Sequence, residues 1–219
     1  MAEQQAGRVS NIIKDNQPTP GCTISQEIYQ ANGVTVFIFA LGANTSISAE
    51  SYQYFKLVTV HSGTLDVFTD KGHLATLATG QSLFTPTDTP VGVSTKADCV
   101  YSEISFRPGV KLNSTIKVGQ PFSLHQLLTY QADKIINMDL VEDSVMKLVV
   151  MSFGDGTGLA EHSAPGKALI FDLFGKGTIK YEGQNHPLAA GDTFLMAKGA
   201  RHAVTAHDHY QMALLVMKK

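Results

Sequence analysis

The sequence predicts an all-β chain built as two similar halves, and three observations predict it. Short runs rich in Val, Ile, Phe and Thr are separated by Gly, Asp and Asn, which is the pattern of many short strands. Helical periodicity is sparse. Anchor residues recur at one spacing: Gly42 and Gly154, Ile47 and Leu159, and Gly63 and Gly175 each lie 112 residues apart, and Gly80 and Gly191 lie 111 apart. A single one-residue gap therefore aligns all four pairs, which marks an internal repeat.

Taken in order, Asn11-Ile12-Ile13-Lys14 is expected to form a short helix at the start of the first half. Val34 to Phe39, Thr64 to Phe68 and Val100 to Phe106 follow as strands. Arg107-Pro108-Gly109 is a turn-forming triplet where the halves meet. The expected domains are thus 1–109 and 110–219. The second half opens with a predicted helix, Ser123 to Tyr130, with Ser123 as its N-cap and apolar residues at 124, 127 and 128. Lys147 to Met151, Thr178 to Tyr181 and Tyr210 to Met217 are strands. His207-Asp208-His209 is expected in a hairpin turn before Tyr210, and His186, beside Pro187, in another turn.

Composition narrows the class. Of 219 residues, 43% are hydrophobic and 16% charged, so the chain can build a core and is not disordered. Lys plus Arg number 17 against 19 Asp plus Glu, a net charge of −2, with no long basic run to contact nucleic acid. Met1 to Gln5 lacks the basic and apolar regions of a secretory signal. The longest apolar run near the start, Val34 to Leu41, is too short to span a bilayer. Two cysteines, Cys22 and Cys99, argue against a disulfide framework, so a reducing cytoplasm is the expected location and both are expected as small core residues. Met196, Met212 and Met217 on apolar strands are expected in the core.

Residues 158 to 202 carry the chemistry. The first stretch reads His162-Ser163-Ala164-Pro165-Gly166-Lys167-Ala168, then Gly175. The second reads Gly191-Asp192-Thr193-Phe194-Leu195-Met196-Ala197-Lys198-Gly199-Ala200-Arg201-His202. This resembles the cupin family, whose motifs are G-x5-H-x-H-x(3,4)-E-x6-G and G-x5-P-x-G-x2-H-x3-N, and the whole chain resembles a bicupin. The resemblance implies two tandem jelly-roll barrels, that is double-stranded β-helices, each two antiparallel sheets closed around a pocket. In the family, His-x-His aims two imidazoles into the barrel because residues two apart on a strand face the same way. A Glu and a distant His complete a site for Fe, Mn, Ni, Cu or Zn.

Carried over residue by residue, the resemblance keeps two of four ligand positions in the second half, His162 and His202. Ala164 and Ala168 stand at the other two. Asp172 shares strand parity with Ala168 and Ile170, so it is expected to point inward, where it would bind a metal, orient a histidine or anchor a polar ligand; the alternative is a strand irregularity that exposes it. The expected ligand pocket is therefore in the second barrel, lined by His162, Asp172 and His202, with one divalent transition metal as the implied cofactor on His162 and His202. In the first half the equivalent positions are Glu50, Tyr52, Lys56 and Val91. No metal site survives there, Glu50 and Lys56 are expected to pair, and the barrel is expected to serve packing.

Other chemistry is thin. Gly154-Asp155-Gly156-Thr157-Gly158 has no following helix and is a strand connection rather than a phosphate loop. No nucleophile elbow marks a hydrolase. Three functions compete: a small-molecule-binding protein, a metal-dependent enzyme of the dioxygenase or isomerase kind, and a structural or regulatory module. The expected partners are a small-molecule ligand, no nucleic acid and no membrane, with the chain a monomer of two barrels or a homodimer.

Overall fold

The structure, a computed structural model, describes residues 4–218. The chain begins with β1 (Val9–Asn11) and one helical turn, α1 (Ile12–Asp15). Nine strands follow: β2 (Thr23–Ala31), β3 (Val34–Leu41), β4 (Ser46–Glu50), β5 (Lys56–Ser62), β6 (Thr64–Thr69), β7 (Gly72–Ala78), β8 (Ser82–Phe84), β9 (Val91–Ser94) and β10 (Cys99–Ser105). After β11 (Lys111–Leu112) and a 3-10 turn (His125–Leu127) come β12 (Ile135–Glu142), β13 (Met146–Phe153), β14 (Gly158–Ser163), β15 (Ala168–Tyr181), β16 (Gln184–Ala189), β17 (Asp192–Met196) and β18 (Arg201–Met217). No described helix is long and apolar enough to cross a membrane.

Contacts divide the described residues into two compact units. One holds residues 12–110 and 114–123; the other holds 4–11, 111–113 and 124–218. Two segments cross the sequence boundary at 109: residues 4–11 join the second unit and 114–123 the first. β1 belongs to the second unit, where Val9, Ser10 and Asn11 pair with Phe194, Thr193 and Asp192 of β17. Backbone pairing needs no distinctive side chains, so an offset repeat carries no trace of it.

The first unit is a jelly roll of two antiparallel sheets, in the orders β2-β3-β10-β5-β8 and β4-β9-β6-β7. In the second unit β15 and β18 are long and bend from one layer into the other. One nine-stranded sheet results, ordered β1-β17-β15-β18-β13-β12-β11, with β14 on β18 and β16 on β15. Strand registers repeat between the units. Lys56 faces Ser105 and Val60 faces Tyr101 in the first; Ala168 faces Val216 and Asp172 faces Met212 in the second. Gly63 and Gly175 mark the same bend. A Cβ on Gly63 would lie 2.3 Å from the Asp98 carbonyl oxygen, and one on Gly175 would lie 1.8 Å from that of His209, both at positive φ.

Several local expectations need correction. Neither predicted helix forms as such. The segment after Ser123 makes one 3-10 turn that begins in Leu124 with no side-chain cap, and the segment near Asn11 makes one α turn. Eight residues are too few to offset helix nucleation, and Leu124 and Leu128 are instead buried at the turn's two ends. His207-Asp208-His209 does not reverse the chain. It kinks β18 in mid-strand, with Asp208 at φ 60. His186 sits on β16 opposite Ile179, not in a turn. Cys99 is buried as expected but Cys22 is exposed. The three methionines are buried.

Each unit has its own apolar cluster. In the second unit an apolar cluster runs from Val149, Met151 and Phe153 through Ala168, Ile170 and Phe194 to Tyr210 and Met212. In the first, the cluster of Val58, Val60, Leu65, Leu77, Cys99 and Tyr101 closes one end of the barrel. The remainder of that interior is open.

Candidate functional site

Period-two alternation builds the open space. On β3, Val34, Val36, Ile38 and Ala40 are buried on one face while Thr35, Phe37 and Phe39, on the other, line a cavity of about 400 Å³. Strand register stacks its wall in rows. Thr35, Ser105 and Lys56 lie side by side, then Phe37, Glu103 and Val58, then Phe39, Tyr101 and Val60. Burial deepens in that order, to 1% exposure at Tyr101 and none at Val60. Phe39 and Tyr101 stack at 4.8 Å between ring centroids, 4° from parallel, and form an aromatic floor. Across the cavity stand Ile47 and Glu50 of β4 and Val91 and Val93 of β9. The upper row is polar and the floor apolar.

The four positions matched to metal ligands in the first half, Glu50, Tyr52, Lys56 and Val91, all line this cavity. Glu50 and Lys56 do not pair as expected. Lys56 Nζ lies 3.0 Å from Glu103 Oε1 and 3.8 Å from the centroid of the Tyr52 ring. Ser105 donates a hydrogen bond to the same Glu103 oxygen at 3.4 Å. Glu50 accepts the Tyr52 hydroxyl. That hydrogen bond to Glu50, then burial, pushes the Tyr52 phenol well above its usual range. Burial, helped by the charges of Glu103 and Glu50, raises Tyr54. Burial likewise raises Tyr101.

In the second unit the corresponding rows are Lys147, Val216 and Ala168, then Val149, Leu214 and Ile170, then Met151, Met212 and Asp172. Of these, Val149, Ala168, Ile170, Met151 and Met212 belong to the apolar cluster of the second unit, with Leu214 and Val216 packed against it. His162, Asp172 and His202 belong to the second unit and are not among the residues that line the cavity of the first. His162 is exposed on β14 and His202 buried on β18. They face each other in register, with ring centroids 4.2 Å apart. Each ring donates from Nδ1 to a backbone carbonyl, His162 to Ala160 and His202 to Ala200. Burial holds the His202 imidazole below its usual pKa, and the neighbouring His162 adds to this.

Asp172 points inward, as its parity requires, and is 4% exposed. It stands near the opposite end of the same two strands from His202 and accepts the Tyr210 hydroxyl. Its other carboxyl oxygen has no hydrogen-bond partner. Burial lifts its carboxyl well above the ordinary range, Asp192 adds to the rise, and the Tyr210 bond opposes it. No group of three or more His, Cys, Asp or Glu among the described residues could hold a metal ion. Two histidines beside Ala164 and Ala168 fall short of the three or four protein donors of a typical zinc site, so these residues do not fit the implied metal.

Sequence reasoning missed Glu103, Tyr54 and the floor pair Phe39 and Tyr101. One signal was present: Lys56 and Glu103 are opposite charges on the inward parity of apolar strands, at positions where the repeat has Ala168 and Leu214.

No protein-family model matches the sequence, and no curated protein matches it. Solved structures do resemble it. A cupin 2 conserved barrel domain protein from Leptotrichia buccalis is 22% identical over 100% of both chains, with a TM-score of 0.87. Protein Ylba from E. coli is 13% identical over 100% of this chain and 94% of its own, with a TM-score of 0.66. A salicylate 1,2-dioxygenase from Pseudaminobacter salicylatoxidans is 13% identical over 84% of this chain and 70% of its own, with a TM-score of 0.61. Likeness at such identity is a likeness of fold: this chain has two tandem antiparallel jelly-roll barrels, the fold it shares with the cupin 2 conserved barrel domain protein.

Proposed function

We propose that this protein binds a small molecule in the cavity of its first barrel. The observation that carries the reading is the graded wall: a polar row with an ion pair above a stacked aromatic floor, around about 400 Å³. That volume and mixture suit a small-molecule site. Binding is favoured over acid–base chemistry because Tyr52, Tyr54 and Tyr101 are all pushed away from neutrality, whereas a general acid or base works best near the operating pH. The likeness to a dioxygenase does not transfer its reaction, since one fold hosts many functions.

A fragment screen by NMR on the full chain tests the reading. Hits are expected to shift amides of β3, β5 and β10 and to be lost in Val91→Phe, which fills the cavity from β9. His162→Ala, a change in the other unit, is expected to bind as the wild type does. Hits that survive Val91→Phe and vanish in His162→Ala would return the site to the second barrel.

A further inference from the structure

The charges of the cavity point to the class of molecule it takes. We infer that the ligand is a small organic amine with an apolar body, an inference that rests on the cavity being the ligand site. Glu50, Lys56 and Glu103 are the acidic and basic residues of its wall. Lys56 is satisfied within the protein, with its ammonium 3.0 Å from Glu103 and over the Tyr52 ring. One carboxylate remains uncompensated. Glu50 accepts the Tyr52 hydroxyl and has no cationic partner among the described residues.

The surfaces beside Glu50 are aromatic. The Tyr52 and Tyr54 rings lie 5.1 Å apart and 36° from parallel. Tyrosine faces attract cations, and more strongly where water is partly excluded. Lys56 shows the wall's preference, since it is itself an ammonium held between a carboxylate and a tyrosine ring. A ligand amine at Glu50 would repeat that arrangement and neutralise the cavity. A ligand carboxylate would have to displace Glu103 from Lys56 and would approach Glu50 as a like charge, which is costly in a partly enclosed site. Beneath the charges, Phe39 and Tyr101 offer the apolar body a flat surface.

Three probes that share a phenylethyl body separate the classes: phenethylamine, 3-phenylpropionate and 2-phenylethanol. Each is titrated by NMR into the full chain, the Glu50→Gln variant and the Lys56→Met variant. Phenethylamine is expected to shift the cavity amides and to bind about tenfold more tightly than the other two. Glu50→Gln, a change at an exposed side chain, is expected to weaken the amine about tenfold and leave the alcohol unchanged. Tightest binding by 3-phenylpropionate, lost in Lys56→Met, overturns the amine and leaves the cavity as the site. Equal amine affinity in Glu50→Gln also overturns it. If no probe moves the cavity amides, the inference and the reading beneath it both fail.

Discussion

Lys56 and Glu103 form an ion pair inside the first barrel, 3.0 Å apart, with side chains 16% and 15% exposed. They lie on neighbouring strands, diagonal in register, with Ser105 bonded to the same carboxylate. In the second barrel Ala168 and Leu214 occupy these places, Ala168 within the apolar cluster and Leu214 packed against it.

Charge pairs taken out of water cost most when half broken. Lys56→Met and Glu103→Gln are each expected to lower stability by about 2 kcal/mol, because each leaves a partner charge unpaired in a mostly enclosed site. The double variant is expected within about 1 kcal/mol of the wild type. Denaturant midpoints of the four proteins make the comparison, and additive losses would count against a coupled pair.

Steric reasoning at the repeated bend gives a second expectation. Gly63→Ala and Gly175→Ala place a Cβ against a backbone carbonyl at positive φ, and each is expected to cost about 3 kcal/mol or more. Gly80 also has positive φ but opens on empty space, so Gly80→Ala is expected to cost about 1 kcal/mol. Thermal melts would rank the three.

The raised pKa of Asp172 ties the second unit's stability to pH. The folded state holds the proton more strongly than the unfolded chain. The stabilisation is therefore complete below about pH 4, the ordinary carboxylate range, and is lost as pH rises toward the folded value. Asp172→Asn keeps an acceptor for Tyr210 and is expected to flatten this decline and to be more stable than the wild type at pH 8. Tyr210→Phe removes that partner and is expected to cost about 1–3 kcal/mol. Melting temperatures at pH 5 and pH 8 decide the matter; an Asp172→Asn variant with an unchanged slope would show that the decline has another source.

His61 works in the opposite direction. It shares a 2.8 Å hydrogen bond with Ser102, and burial pushes its imidazole down to about 4. The neutral ring is favoured in the fold, so its contribution is present above about pH 6.5 and is lost as pH falls toward the folded value. His61→Gln is expected to move the acid-unfolding midpoint of the first unit to lower pH. NMR titration of His61 gives the direct check, and a midpoint near 6.5 would refute the burial argument.

Much of the fold was legible in the sequence. The offset of 112 marked the repeat, and Gly63 and Gly175 are anchors because a carbonyl from the next strand occupies the place of a side chain. The inward aim of Asp172 followed from its parity with Ala168 and Ile170. The candidate site was less legible. His162 and His202 drew attention to the second barrel because they match ligand positions, while Lys56 at a ligand position in the first was taken as decay. Residue type at a motif position says nothing about whether the space in front of it is empty.

By itself the sequence determined the β class, the two halves and the inward aim of Asp172. These depend on periodicity and on local sterics, which involve residues close in the chain or at one repeated offset. Tertiary structure decided how the cavity of the first barrel is lined, that Lys56 takes Glu103 rather than Glu50, and that β1 completes the second unit. A cavity is the volume left after side chains from several strands have packed. An ion pair forms with whichever opposite charge lies nearest in space, and an edge strand is held by backbone hydrogen bonds that any sequence can make.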